Sequence, residues 1–160
     1  MEKTIELFKD VLFKEVKAGA IYSRAAEITQ NDEARMLFLE LSSEEDDHAH
    51  DLFKKAKGTP LEQASDLDDY LKKLESSPEG VIPKEDLDII QRGEIREVLE
   101  LASKHEKETM EAFMALADKE ANKEVKTFYL EFAGMEKEHL NSLNQMLNSL
   151  GMEEDERPAL

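Results

Sequence analysis

The sequence of 160 residues contains no cysteine and no tryptophan, and it has only 6 glycines and 4 prolines. Without cysteine, disulfides, thiolate zinc sites, iron–sulfur clusters and iron centres held by thiolates are excluded within this chain. No apolar run approaches the roughly 18 residues that span a bilayer, and the start MEKTIELFKDV lacks the apolar core of a signal peptide. We therefore expect a cytoplasmic protein, a location that the absence of cysteine also fits.

Positive charge is also scarce, because 38 acidic residues outnumber 21 basic ones and leave a formal net charge of −17. This balance argues against nucleic acids and anionic membranes as partners. It favours the attraction of cations, although a solvated helical surface accounts for most of the charge. Apolar residues make up 40% of the chain and helix-forming residues dominate it, so we expect one all-α domain with a buried core.

Hydrophobic periodicity predicts four long helices. They are expected at about residues 3–30, 32–57, 94–119 and 122–150. The third helix has an alternative start near residue 86, with a break at Gly93. Asn31 and Asp32 supply the turn and cap before the second helix, and Asn122 caps the fourth.

The periodicity weakens between residues 58 and 85, where Pro60, Pro78 and Pro83 occur. This stretch is too long for an ordinary loop, and we interpret it as a crossover along a bundle with a short helix at about 67–74. The expected fold is therefore a four-helix bundle of two helical hairpins within residues 1–152. Residues 153–160 are expected to form an acidic flexible tail.

Two Glu-x-x-His pairs stand out in the predicted helices. Glu45 and His48 lie in LSSEEDDHAHDLF, and Glu136 and His139 lie in FAGMEKEHLNSL. Side chains three residues apart project from one helix face and can bind the same metal ion. A lone pair of this kind is most often structural. His48 also has Glu44 four residues before it, but only Glu45 has a counterpart in the second half of the chain.

The two halves of the chain repeat with a shift of 91 residues, which superimposes one Glu-x-x-His pair on the other. The same shift superimposes Glu15 on Glu106, and each of these glutamates lies at the centre of an apolar helical stripe. Two Glu-x-x-His copies in register, each about 30 residues after a core-facing glutamate, are hard to produce by chance.

Four glutamates in one core would repel each other, and an ionised carboxylate buried alone costs several kcal/mol. Cations resolve this conflict, since four carboxylates and two imidazoles suit two divalent ions of iron or manganese; zinc binds the same ligand types. One Glu from each of two helices and Glu-x-x-His from each of the other two is the arrangement of ferritin-like carboxylate proteins. The predicted metal ligands are Glu15, Glu45, His48, Glu106, Glu136 and His139.

Three further side chains were weighed against this set. Tyr22 lies two turns from Glu15 on the same helix face, where it either hydrogen-bonds a ligand, is reached by a metal-bound oxidant or packs in the core. His50 lies roughly 200° around the helix from the preceding Glu-x-x-His and is expected on the surface. His105 is rotated by about 100° from Glu106 and is expected beside the ligands.

Over roughly residues 5 to 150 the chain resembles the rubrerythrin branch of the ferritin-like superfamily. The resemblance rests on four motifs that carry the predicted ligands and Tyr22, namely EVKAGAIY, FLELSSEEDDH, HEKETMEAF and YLEFAGMEKEH. It implies a non-haem centre of two iron ions that reduces hydrogen peroxide or reacts with dioxygen. It also implies a homodimer, sometimes with swapped helices.

Three departures from the family pattern matter for function. The rubredoxin domain that normally delivers electrons is absent from this sequence, so a separate donor protein such as a rubredoxin is expected. Thr109 stands where rubrerythrins carry an additional Glu that is linked to redox-dependent movement of iron. Phe113 stands where a tyrosine usually follows the third-helix ligand, which leaves Tyr22 as the one tyrosine of that pair.

Three functions remain open at this stage. The first is a di-iron oxidoreductase in oxidative-stress defence that reduces hydrogen peroxide, with dioxygen as an alternative oxidant. The second is a non-catalytic protein that binds or delivers iron, manganese or zinc, which Thr109 and the strong acidity favour. The third is a helical interaction module that no longer binds metal, and the presence of all six predicted ligands argues against it.

Overall fold

The computed structural model describes residues 2–56, 67–76 and 78–156. Every regular element in these ranges is helical, which confirms the all-α class. The helices are α1 (Glu2–Ile28), α2 (Asp32–Ala56), α3 (Leu67–Ser76), α4 (Lys84–Arg92), α5 (Ile95–Lys119) and α6 (Lys123–Glu156), and a 3-10 turn covers Pro78–Val81. Within the described ranges, none of the helices combines the length and apolarity needed to cross a membrane.

Two helical hairpins form the bundle, one from α1 and α2 and the other from α5 and α6. The connection within each hairpin is short, and an asparagine caps the helix that follows it. Asn31 Oδ1 accepts the N–H of Ala34 at 2.9 Å, and Asn122 Oδ1 accepts the N–H of Val125 at 3.1 Å. Since α1 contacts α5 and α2 contacts α6, the hairpins close into the predicted ferritin-like four-helix bundle.

The described part of the crossover between the hairpins, from residue 67 onward, runs along α1. The short helix α3, the 3-10 turn and α4 all contact α1, and α4 also contacts α5. Gly93 ends α4 in the left-handed conformation (φ 71°), which glycine adopts without the steric cost of a Cβ atom, and its N–H donates to Ile90 O. The short helix and the break at Gly93 are therefore confirmed. Residues 57–66, which include the expected end of the second helix, lie outside the described residues.

The ends of two helices differ from the sequence prediction. α1 ends at Ile28, two residues earlier than expected. α6 continues to Glu156, six residues beyond the expected end at Leu150. Gly151 lies inside this helix, where a glycine costs about 1 kcal/mol relative to alanine without terminating the helix. The expected flexible tail is therefore helical as far as Glu156, and residues 157–160 lie outside the described residues.

The apolar core is divided into two clusters, one toward each end of the bundle. The first cluster includes Phe8, Leu12, Leu52, Phe113 and Phe132. The second includes Ile21, Phe38, Leu41, Leu99 and Leu143. Along each long helix, a buried glutamate lies between residues of the first cluster and residues of the second; these glutamates are Glu15, Glu45, Glu106 and Glu136. The fold thus places a polar layer across the middle of its core.

Candidate metal centre

The six residues predicted as metal ligands lie together in the polar layer. Each of the four glutamates is at most 1% exposed, and both histidines are buried. The two imidazole rings stack with their centroids 5.1 Å apart and their planes 8° from parallel. Ligand atoms of Glu45, His48, Glu136 and His139 all lie within 4.8 Å of one another. This group is compatible with a di-iron site.

Three carboxylates surround Nδ1 of His48. Glu136 Oε1 lies 3.3 Å from this nitrogen, Glu15 Oε2 lies 3.5 Å from it and Glu45 Oε2 lies 3.9 Å from it. The edge of the imidazole ring packs against Phe132, which helps to hold its orientation. Residues from α1, α2 and α6 therefore form one set of donors.

Three carboxylates also surround Nδ1 of His139. Glu45 Oε1 lies 2.6 Å from this nitrogen, and Glu106 Oε1 and Glu136 Oε2 each lie 3.6 Å from it. Glu45 and Glu136 thus belong to both sets, whereas Glu15 belongs only to the set of His48 and Glu106 only to that of His139. Two adjacent donor sets that share two carboxylates are the arrangement expected around a pair of metal ions.

Many carboxylate oxygens in this layer make no hydrogen bond to any described residue. They are both oxygens of Glu15 and the Oε2 atoms of Glu45, Glu106 and Glu136. Leaving so many acceptors buried and unpaired is costly, since each such group costs about 1–3 kcal/mol, and more when it is charged. Divalent cations would neutralise the carboxylates and occupy these lone pairs. The residues therefore fit a metal centre, and the oxygen and imidazole donors suit iron, manganese or zinc.

The pKa values of the buried glutamates reflect the same cost of holding several carboxylates together in the core. Burial, together with the charge of Glu136, raises the pKa of Glu15 well above its usual value. Burial and the charge of Glu15 do the same to the pKa of Glu45, and burial raises the pKa of Glu106 to about 7. Burial and mutual repulsion therefore favour the protonated forms of these three groups when no cation is bound.

The pKa values of Glu136 and His139 shift in the direction opposite to the one that burial alone would give. Burial alone would raise the pKa of Glu136, but its close contacts with Glu106, Glu15 and the histidines bring this pKa well below its usual value. Burial alone would lower the pKa of His139, but the neighbouring carboxylates raise it. The surroundings of Glu136 and His139 therefore favour the charged forms of these two groups, in contrast to the other three glutamates.

Tyr22 contacts the polar layer directly. Its hydroxyl donates a hydrogen bond to Glu106 Oε1 at 2.5 Å, and its ring packs near Phe38. Burial and the charge of Glu106 raise the pKa of Tyr22, so the phenol stays protonated and keeps donating. Of the roles weighed for Tyr22 from the sequence, the structure supports the hydrogen bond to a predicted ligand.

Glu44 is a functional candidate that the sequence analysis set aside. Its Oε2 lies 2.6 Å from Nε2 of His139, on the side of the ring away from the other carboxylates. A carboxylate at this position fixes the orientation of the imidazole and increases its basicity. In the sequence, Glu44 is spaced to contact His48, which follows four residues later. In the structure its partner is His139 on α6, 95 residues away. The position equivalent to Glu44 in the second half is Met135, so His48 has no matching glutamate.

We expect Glu44→Gln to weaken the binding of one metal ion by about 10- to 100-fold, because a neutral amide polarises the imidazole of His139 less than a carboxylate does. The second ion, bound through His48, should keep its parental affinity. A ferrous titration under anaerobic conditions measures both affinities. The matched control is Glu40→Gln, an exposed change one turn earlier on α2. Unchanged affinity for both ions in Glu44→Gln would show that Glu44 does not support the centre.

The remaining residues singled out in sequence lie outside the donor sets. The side chain of His50 is 44% exposed, as expected. His105 Nε2 lies 3.0 Å from Asp86 Oδ2 of α4, so it contacts the crossover rather than the predicted ligands. Thr109 donates its hydroxyl to the carbonyl oxygen of His105 and supplies no carboxylate to the layer. Phe113 is fully buried and stacks on Phe132.

A four-helix bundle with a buried layer of four glutamates and two histidines defines a ferritin-like carboxylate protein. Within that class, a family model described as Rubrerythrin matches residues 6–147 of the chain. The chain therefore belongs to the rubrerythrin family, which confirms the resemblance seen in the sequence. Comparisons with curated proteins and with solved structures find no match.

Proposed function

We propose that the chain is a non-haem di-iron oxidoreductase that reduces hydrogen peroxide, with dioxygen as an alternative oxidant. The observation that carries this proposal is the sharing of Glu45 and Glu136 between the surroundings of His48 Nδ1 and His139 Nδ1. Shared carboxylates would hold two metal ions close enough to act together on one small oxidant.

Each residue of the centre has a distinct part in this proposal. Glu45 and Glu136 would help to hold both ions, while Glu15 would help to hold the ion near His48 and Glu106 the ion near His139. When bound, two ferrous ions supply two electrons, so that one hydrogen peroxide and two protons become two waters. Tyr22 holds Glu106 through its hydrogen bond. The apolar clusters on both sides of the layer exclude bulk water, which strengthens the electrostatic interactions inside.

We also propose that a separate electron-donor protein, such as a rubredoxin, reduces the centre, in line with the absence of cysteine from these 160 residues. We further propose a cytoplasmic homodimer without nucleic-acid or membrane partners, in line with the family and with the net charge of −17. Re-reduction of the oxidised protein by a reduced rubredoxin, followed as loss of ferric absorption, tests the donor directly.

The central test is an anaerobic ferrous titration followed by rapid mixing with peroxide and, separately, with dioxygen. We expect two irons to bind per chain and peroxide to oxidise them at least about tenfold faster than dioxygen, since that preference is what peroxide reduction requires. The readout is ferric absorption in the near ultraviolet. If dioxygen reacts faster, an oxidase role replaces the peroxidase role.

A non-catalytic metal-binding protein is the second candidate, and one observation favours it. Thr109 hydrogen-bonds within α5 and leaves the centre without the additional glutamate that rubrerythrins carry at this position. Iron that binds tightly but reacts appreciably with neither oxidant would support this candidate, and manganese and zinc would then be titrated in the same way.

A further inference from the structure

A groove of about 560 Å³ opens on the protein surface between α1 and α2 and reaches the candidate metal centre. We call it the α1–α2 groove; the residues of interest along it are Glu15, Gly19, Ser23, Ser42, Asp46 and Ala49. Glu15 is one of the predicted metal ligands and is fully buried. Ser23 and Asp46 are exposed at the surface. The groove therefore leads from solvent to the position of Glu15, whose carboxylate is itself covered.

The groove exists because small residues line it. Gly19 has no side chain, and the hydroxyl of Ser42 donates to its carbonyl oxygen at 3.1 Å, which ties α1 to α2 at this point. In the second hairpin, the positions equivalent to Gly19, Ser23 and Ala49 carry large side chains, which are Met110, Met114 and Leu140. Met110 packs against the apolar core. The opening is thus a departure from the internal symmetry of the bundle.

The buried end of the groove is one of the predicted metal ligands. Both carboxylate oxygens of Glu15 are buried without a hydrogen-bond partner among the described residues. Glu106, the counterpart of Glu15, receives the hydroxyl of Tyr22 on one oxygen. Glu15, the carboxylate next to the groove, therefore has fewer hydrogen-bond partners than Glu106.

The chemistry of the lining selects the solute. Serine hydroxyls from both helices and the carboxylate of Asp46 line the groove beside apolar residues such as Val16 and Leu39, so it offers hydrogen bonds to a small molecule that donates and accepts them. Asp46 and the net charge of −17 disfavour anions. Hydrogen peroxide is small and uncharged and both donates and accepts. We propose that the α1–α2 groove is the route by which hydrogen peroxide reaches the centre on its Glu15 side, an inference that rests on the proposed function.

Gly19→Met tests this route, because it introduces the residue that the equivalent position of the other hairpin carries. A Cβ at Gly19 would lie 3.6 Å from Glu45 Cβ and 3.8 Å from Ser42 O, which are ordinary contacts, so the helix accepts a Cβ atom here. We expect Gly19→Met to slow the oxidation of the iron-loaded protein by peroxide at least about tenfold while two irons still bind. Ser23→Met narrows the exposed part of the groove and provides a second variant if Gly19→Met folds poorly.

The matched control is Met114→Ser, the reverse change at the position equivalent to Ser23, which should leave the peroxide rate unchanged. A readout independent of iron uses the absence of cysteine. Ser42→Cys places a single thiol in the groove, and its modification by a small neutral thiol reagent should slow when Gly19→Met is added. That result shows that the groove is blocked.

The outcomes separate the route from the proposed function. A blocked groove with a parental peroxide rate overturns the route alone. Slower ferrous uptake without slower peroxide oxidation also overturns it and indicates that the groove is instead the route by which the metal ion enters. A parental protein that binds iron but does not react with peroxide overturns the proposed function, and the route with it. A blocked groove, intact iron binding and slow peroxide oxidation together support the route.

Discussion

Replacing Glu136 by alanine is expected to weaken the binding of both metal ions, whereas replacing Glu15 by alanine is expected to weaken the binding of only one. Glu136 lies close to Nδ1 of both His48 and His139, while Glu15 is close to that of His48 alone. Loss of a shared ligand therefore weakens the binding of both ions. We expect each affinity to fall at least about 100-fold, because losing a residue that only supports a ligand already costs about 10- to 100-fold.

The measurement is an anaerobic ferrous titration that gives the stoichiometry of each variant. Glu45→Ala should behave like Glu136→Ala, and Glu106→Ala should behave like Glu15→Ala, because Glu45 is also shared and Glu106 is close to His139 alone. Glu138→Ala, an exposed change on α6, is the control. Circular dichroism establishes that each variant is folded.

The result that would overturn the shared site is specific. If Glu45→Ala and Glu136→Ala each bound two irons with parental affinity and kept full turnover with peroxide, these residues would not be ligands, and the di-iron proposal would fail. If all four variants lost one ion each, the ions would bind independently, without shared carboxylates.

The metal-free protein is expected to lose stability as the pH rises, by several kcal/mol in the free energy of unfolding. The pKa values of Glu15 and Glu45 are raised well above 4.5, and that of Glu106 is raised to about 7. A group with a raised pKa in the folded state contributes stability that is present in full below its unfolded pKa. That stability is lost as the pH rises through the folded value.

The other shifted groups of the centre do not reverse this trend. The raised pKa of His139 acts in the same direction, because its contribution is lost as the pH rises above the usual value of 6.5 and through the folded value. The lowered pKa of Glu136 contributes stability that is present above 4.5 and is lost only in acid. For Glu106 alone, the shift from 4.5 to about 7 corresponds to a loss on the order of 3 kcal/mol.

Denaturant unfolding between about pH 5.5 and 8 measures this trend above the isoelectric point of about 4.6. Glu106→Gln should reduce the slope below about pH 7, since an amide has no proton to lose. Saturating divalent metal should reverse the slope, because cations displace the protons, and should add about 2.7 kcal/mol per site at one hundred times the dissociation constant. A metal-free protein that is more stable at pH 8 than at pH 5.5 would contradict the expectation.

Local features of the sequence were sufficient to predict most of the helices. The caps at Asn31 and Asn122 and the break at Gly93 depend only on nearby backbone groups, and the structure has all three. The end of α6 was predicted too early, because a glycine in a helix is a cost rather than a stop, and the helix continues past Gly151. Such boundaries depend on small differences in free energy.

The candidate site was predicted in part. The repeat and the apolar stripes brought Glu15 and Glu106 into the set with the two Glu-x-x-His pairs, and the structure places all six side chains in one layer. Their role as ligands stays a prediction. The contact between Glu44 and His139 could not be predicted, because nothing in the spacing along α2 indicates which side chain of α6 lies opposite.

The sequence by itself determined which residues are polar on otherwise apolar helix faces, since helical periodicity and the internal repeat are properties of residue order. It thereby determined the composition of the candidate centre and excluded thiolate chemistry. Only the tertiary structure decided which carboxylates are shared between the two histidines and which residue supports His139. It also decided that the groove opens between α1 and α2. Each of these depends on distances between side chains of different helices, and the packing of the two hairpins sets those distances.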